Sequence, residues 1–214
     1  MEHWSVRSAL AVGVVLCVVS GCAGKGEVRY LDVHVKQAAA PSTDVEPVKI
    51  VIEPFEDRRA EKGSIGTRTH RWGGVTYFDV VGKRPADVLV QTLADRLKVR
   101  GWRERPWNVR VASDGPATDA DIVITGQVHE FSANAEPRVL STMINTATRF
   151  TIHARNLGDK STTTRSVEGA QSRRIFLYDE GEIREQLVAT LTEGIERFIA
   201  DTMIEQKGLR PARQ

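Results

Sequence analysis

The chain has 214 residues, with 41% hydrophobic and 27% charged content and a formal net charge of +2, which is the composition of a globular protein and not of a disordered one. Thirty Lys+Arg stand against 28 Asp+Glu, so the marked basic excess of a nucleic-acid binder is missing and no nucleic-acid partner is expected. The two cysteines are Cys17 and Cys22, which excludes a disulfide framework and a thiol nucleophile from the body of the chain.

Met1 to Arg7 is a short polar leader, and Ala9 to Val19 is an apolar run. That run is far shorter than the roughly 20 residues a membrane-spanning helix needs, so a signal-peptide core is the better reading. Val19, Ser20, Gly21 and Cys22 resemble the lipobox at which bacterial lipoprotein precursors are cut. The resemblance implies a signal peptide over 1–21, an acylated Cys22 as first mature residue, and a lipid bilayer as the first partner. The alternatives are an ordinary secretory signal or a short buried helix. Ala23 after the cysteine, in place of an aspartate, resembles the sorting pattern for the outer membrane.

Residues 22–47 read as the lipidated cysteine and a flexible tether. A chain of that length has a root-mean-square reach of roughly 25 to 30 Å, enough to hold a domain clear of the lipid. Tyr30, Leu31, Val33 and Val35 alternate in part, and a short edge strand is the competing reading.

A single α/β domain is expected over 48–207, with a C-terminal tail at 208–214. Val48 to Phe55 reads as a buried strand ended by Pro54. Glu56 to Gly74 reads as a long loop with four glycines, five basic residues and Trp72, and loops of that length are usually functional or disordered. Arg58, Arg59, Arg68, Arg71 and Trp72 are the candidate partner-binding residues. Arginines steer a partner, and the indole supplies area to bury. The competing readings are a solvated basic loop and a Trp72 folded onto the domain.

Gly74 to Val81 reads as a strand. Pro85 opens a helix in which Ala86, Leu89, Val90, Leu93 and Leu97 share one face and Gly101 marks the stop. Trp102 and Trp107 are expected to cover its end. Asn108 to Val111 and Ile122 to Val128 read as strands, with turn chemistry between them. Arg149 to Arg155 alternates as an antiparallel strand with one wet face, and Arg165 to Tyr178 returns as its partner. Periodicity leaves Val139 to Thr148 open between strand and short helix. Asp179 and Glu182 form a capping box at the start of a helix with a stripe of Ile183, Leu187, Leu191, Ile195, Phe198 and Met203. These elements predict an α/β (α+β) fold: a mostly antiparallel sheet with two amphipathic helices packed on one face.

Catalytic and metal signatures are missing: there is no G-x-S-x-G, H-E-x-x-H or G-x-G-x-x-G. His129 with Glu130 and His153 is the one candidate for a site built across neighbouring strands, and a wet-face position is the simpler account. Glu53, Glu56 and Asp57 could serve acid-base work, but Arg58 and Arg59 beside them point to local salt bridges. No catalytic residue, metal or cofactor is expected.

The lipobox, the strand VKIVIEPFEDRR leading into IGTR, the helix ending in RGW, the strand ADIVITGQVHEF and the closing amphipathic helix together resemble the YajG-type bacterial envelope lipoproteins. The resemblance implies a non-enzymatic periplasmic part, anchored at the outer membrane, that serves as an adaptor or as an assembly or transport accessory and binds another envelope protein through its loop or a sheet edge. The alternative is a periplasmic ligand-binding or hydrolytic domain with a pocket near Trp72.

Overall fold

The computed structural model describes residues 25–34, 44–112 and 119–212. The leader, the lipobox with Cys22, residues 35–43 of the expected tether and most of the turn after Val111 lie outside the described residues.

The sheet is organised around strand β7 (Ile122–Arg138), whose two edges are used differently. One edge pairs antiparallel with β8 (Ser141–Asn156) along its whole length, and β8 pairs in turn with β9 (Thr162–Ile175). The other edge is shared by three successive segments that all run parallel to it: β2 (Glu46–Ile52) against Ile122 to Ile124, β3 (Glu56–Asp57) against Gln127 and Val128, and β4 (Gly66–Thr69) at Ala135. Beyond them β6 (Trp107–Val111) runs parallel to β2, β5 (Val75–Val80) forms a hairpin with β4, and β1 (Lys25–Leu31) runs parallel to β5.

The sheet is therefore mixed, and the expectation of a mostly antiparallel one is corrected. Hydropathic alternation reports which face of a strand is buried and is silent about its direction. The parallel pairs join strands separated by long stretches of chain, one of which carries helix α1 (Pro85–Val99), whereas tight turns build the antiparallel β4–β5 hairpin and the long β7–β8–β9 meander.

β1 lies inside the segment expected to be a tether, and Leu31 and Val33 are 3% and 4% exposed. The core thus begins well before Val48. Inside the segment expected to be one long loop, β3 and β4 are recruited to the sheet. At the other end β10 (Thr202–Glu205) and β11 (Gly208–Pro211) form a hairpin where a tail was expected. Asn156, buried, holds it with both halves of its amide: Leu209 N–H donates to Oδ1 at 2.8 Å, and Nδ2 donates to the Leu209 carbonyl at 3.1 Å.

Helix α1 starts at Pro85, where the missing N–H costs nothing, and Asp87 accepts from the backbone and side chain of Arg84. Its face of Ala86, Leu89, Leu93 and Leu97 is buried. It ends at Val99, where Arg100 turns extended, and the next residue is glycine because the Trp107 ring occupies the space a side chain would need: a Cβ on Gly101 would lie 2.3 Å from Nε1. Helix α2 (Glu180–Ala200) is capped by Asp179, which accepts from Gly181 N–H. It stops at Ala200, so Met203 falls in β10. α2 packs on β8 and β9, α1 on β6, and the helices meet through the Arg96–Glu196 ion pair. α2 also covers the free edge of β9. Gln186 Nε2 donates to the Gln171 carbonyl at 2.9 Å and Arg197 Nη1 to the Glu168 carbonyl at 2.8 Å, which blunts an edge otherwise open to another strand.

Candidate functional site

The local event that builds the site is a β-bulge at His129. Val128 pairs with Phe150 and Glu130 with Arg149, so His129 has no partner opposite. A bulge adds one residue and shifts the face of every later side chain. Buried positions on β7 accordingly move from Ile122, Ile124 and Val128 to Phe131, Ala133 and Ala135.

At the same point the parallel edge of β7 loses its partner. The chain follows β7 as far as Arg58, whose N–H donates to the Val128 carbonyl at 2.8 Å, and rejoins it at Ile65, whose carbonyl accepts from Ala133 N–H at 2.8 Å. Between these two bonds residues 59–64 arch away, leaving an open cleft of about 470 Å³. The cleft is lined on the loop side by Arg59, Glu61 and Ser64, and on the sheet side by His129, Glu130, Ser132, Asn134 and Arg149.

The arch is held by Arg59, which is 7% exposed. Its Nε and Nη2 donate to the Asp57 carboxylate at 3.0 to 3.2 Å, and Nη1 donates to the Ser64 carbonyl at 3.0 Å. Burial pushes the Asp57 carboxyl up, but the hydrogen bonds and charge of Arg59 outweigh it and hold the group below the usual carboxylate range. A fork of this kind fixes position as well as charge. Gly66 closes the arch with φ +156, and a Cβ there would lie 1.9 Å from the Ala133 carbonyl oxygen. Asn134 Oδ1 accepts from Thr67 N–H at 3.0 Å.

On the sheet side Glu130 and Arg149 lie 3.8 Å apart across β7 and β8, and Ser132 donates to Glu130 at 3.4 Å. His129 Nε2 sits 3.1 Å from Thr151 Oγ1. The imidazole is thus engaged by a threonine and the serine by a glutamate, which leaves the cleft lined by polar side chains of both charges.

The five residues expected to form one partner surface are divided. Arg59 is internal to the loop and lines the cleft. Arg58, exposed beside it, pairs with Glu56 at 2.9 Å. Arg68 lies over the Tyr178 ring, with Cζ 3.4 Å from its centroid. Arg71 and Trp72 are exposed in the β4–β5 turn, Trp72 to 91%, and Trp72 does not line the cleft. Of the pair His129 and His153, each imidazole meets a threonine hydroxyl: His129 Nε2 that of Thr151, and His153 Nδ1 that of Thr164 at 3.0 Å. Among the described residues no group of three or more metal-ligating side chains converges. Sequence reasoning singled out His129 and Glu130, which both line the cleft, and missed Asn134 and Arg149. The available signal was the break in alternation after Val128, which a bulge explains.

No family model and no curated protein matches the chain. Among solved structures it is similar to a Xanthomonas campestris protein of the DUF330 family, with a TM-score of 0.50 and 10% identity over 80% of this chain and 91% of that one. A PelC dodecamer from Paraburkholderia phytofirmans matches with a TM-score of 0.44 and 9% identity, over 75% and 95%. A Neisseria meningitidis lipoprotein matches with a TM-score of 0.28 and 11% identity, over 71% and 99%. What is shared with the DUF330 protein at that identity is the fold. No described helix is long and apolar enough to cross a membrane.

Proposed function

We propose that this chain is a lipid-anchored lipoprotein of the bacterial envelope, held at the outer membrane by an acylated Cys22 with its domain in the periplasm. In this reading it is a non-enzymatic adaptor or accessory component that engages another envelope protein. The YajG-type resemblance and the lipobox support the setting. The observation that supports a binding role is the preformed cleft: a buried arginine is committed to holding the 59–64 arch away from β7. An opening that is already ordered loses less conformational freedom on binding than one ordered by its partner. Glu130, Asn134 and Arg149 would supply polar recognition there.

A second reading, a small-ligand site, is favoured by the cleft's volume, which falls within the roughly 300–1,000 Å³ of small-molecule pockets. The two are separated by filling the cleft. Ser132→Trp in the lipidated protein, purified from solubilised envelopes, is expected to lose a partner that the unaltered protein recovers in stoichiometric amount, with an unchanged melting temperature. Recovery of the same partner by the filled variant would overturn the cleft as the docking site. Stabilisation of the purified protein by a small molecule, lost in Ser132→Trp, would establish the second reading instead.

A further inference from the structure

Of the large apolar side chains exposed among the described residues, five stand almost fully in solvent: Trp72 (91% exposed), Val139 (80%), Leu140 (79%), Phe176 (79%) and Leu177 (88%). They are far apart in sequence, and the strand register gathers them at one end of the sheet. β4 runs parallel to β7 with Arg68 beside Ala135, so the turn carrying Trp72 projects past the same end at which β7 turns through Val139 and Leu140 into β8. Thr142 of β8 pairs with Ile175, after which the chain leaves through Phe176 and Leu177. The Arg68–Tyr178 stack ties the two outer groups together.

β1 begins at this end too, since Lys25 pairs with Val75, directly after the Trp72 turn. Cys22 lies three residues ahead of Lys25, and three residues span at most about 11 Å. An acylated Cys22 therefore keeps this end of the domain close to its bilayer, in place of the long reach expected of a 25-residue tether.

The charges at this end fit the same occupant. Its carboxylates are engaged internally: Glu136 with Arg138, Glu182 with Arg173, Glu180 with Arg29, and Asp179 as the helix cap. Arg71 and Arg174 are exposed and have no ion-pair partner among the described residues. An indole, aliphatic tips and unpaired arginines are the side chains that favour the boundary between headgroups and acyl chains.

We infer that this end of the domain is a membrane-contact tip, in which Trp72, Val139, Leu140, Phe176 and Leu177 enter the lipid interface beside the acylated Cys22. The inference rests on the anchoring reading above. A contact so placed fixes the orientation of the domain and carries the strands away from the lipid.

The test uses the full-length lipidated protein in vesicles containing lipids brominated along the acyl chain, which quench tryptophan on contact, with intact mass reporting acylation. Acylated protein is expected to show quenched, blue-shifted Trp72 emission. The quenching should be lost in Trp72→Phe, which leaves only Trp102 and Trp107 in the mature chain. Val139→Asp with Leu140→Asp is expected to reduce the quenching of Trp72 without altering the melting temperature. Acylated protein with unquenched, unshifted Trp72 would overturn the tip while leaving the anchor standing, and protection of Trp72 by a co-purifying protein would assign the patch to that partner. Protein without acyl mass would overturn the anchor and the tip together.

Discussion

The guanidinium of Arg68 lies 3.4 Å from the centroid of the Tyr178 ring, joining β4 to the connection between β9 and α2. Burial pushes the Tyr178 hydroxyl up to about 12, against the pull of the Arg68 charge. The folded state therefore favours the neutral phenol, while the unfolded chain ionises near 10. The stabilisation is complete below about pH 10 and is lost as pH climbs toward 12. An alkaline titration followed by tyrosinate absorbance is expected to show one late step, absent in Tyr178→Phe and moved later still in Arg68→Leu.

Trp72 and Trp107 make opposite forecasts. Trp107 is 2% exposed and packs on Gly101, so Trp107→Ala is expected to cost about 3 to 5 kcal/mol. Trp72→Ala, at a side chain standing in solvent, should leave stability within about 0.5 kcal/mol. Denaturant unfolding of the two variants checks both.

Gly66 carries the arch over the cleft. Gly66→Ala would drive a methyl group into the backbone of β7, where no side chain can yield. The expected result is a lowered melting temperature, with faster hydrogen exchange at Ala133 and Arg58, the two ends of the excursion. Unchanged exchange at those amides would show that the arch is held by something other than the glycine.

The C-terminal hairpin should open on removal of one side chain. Asn156→Leu leaves the buried Leu209 N–H without its side-chain partner, at about 1 to 3 kcal/mol, while the Leu209 carbonyl keeps the bond that Thr163 Oγ1 donates at 2.8 Å. Arg210 and Ser161 hold the Asp159 carboxyl well below its usual range. Their contribution is present above about pH 3.9 and fades as pH falls through the lowered value. Hydrogen exchange in 208–211 is expected to rise in the variant at neutral pH, and in the unaltered protein only in strong acid.

The sequence made local elements legible and longer-range ones not. Helix α1 was readable from Pro85 to Gly101 and α2 from its Asp179 cap, because the period and the stop signals are local. β7 was readable only as far as Val128, since the bulge at His129 reverses the alternation. β1 was legible only as the competing edge-strand reading at Tyr30 and Leu31, and β11 escaped, because each is short and stabilised by partners distant in the chain: β5 for the first, Asn156 for the second. Sheet direction, and with it the parallel run of β2, β3 and β4 along β7, has no local signature. The candidate partner residues were chosen for exposure and charge in one loop. The fold divides that loop between the cleft, where Arg59 is structural, and the far end of β4, where Arg71 and Trp72 stand free.

The account depends most on Cys22, and metabolic palmitate labelling of cells producing the unaltered chain and Cys22→Ser tests it directly. The unaltered protein is expected to carry label and to sediment with membranes. The Cys22→Ser protein should carry none and should keep the same unfolding profile, because the buried core begins at Leu31. Equal labelling of the two, or an unlabelled parent protein, would contradict the account.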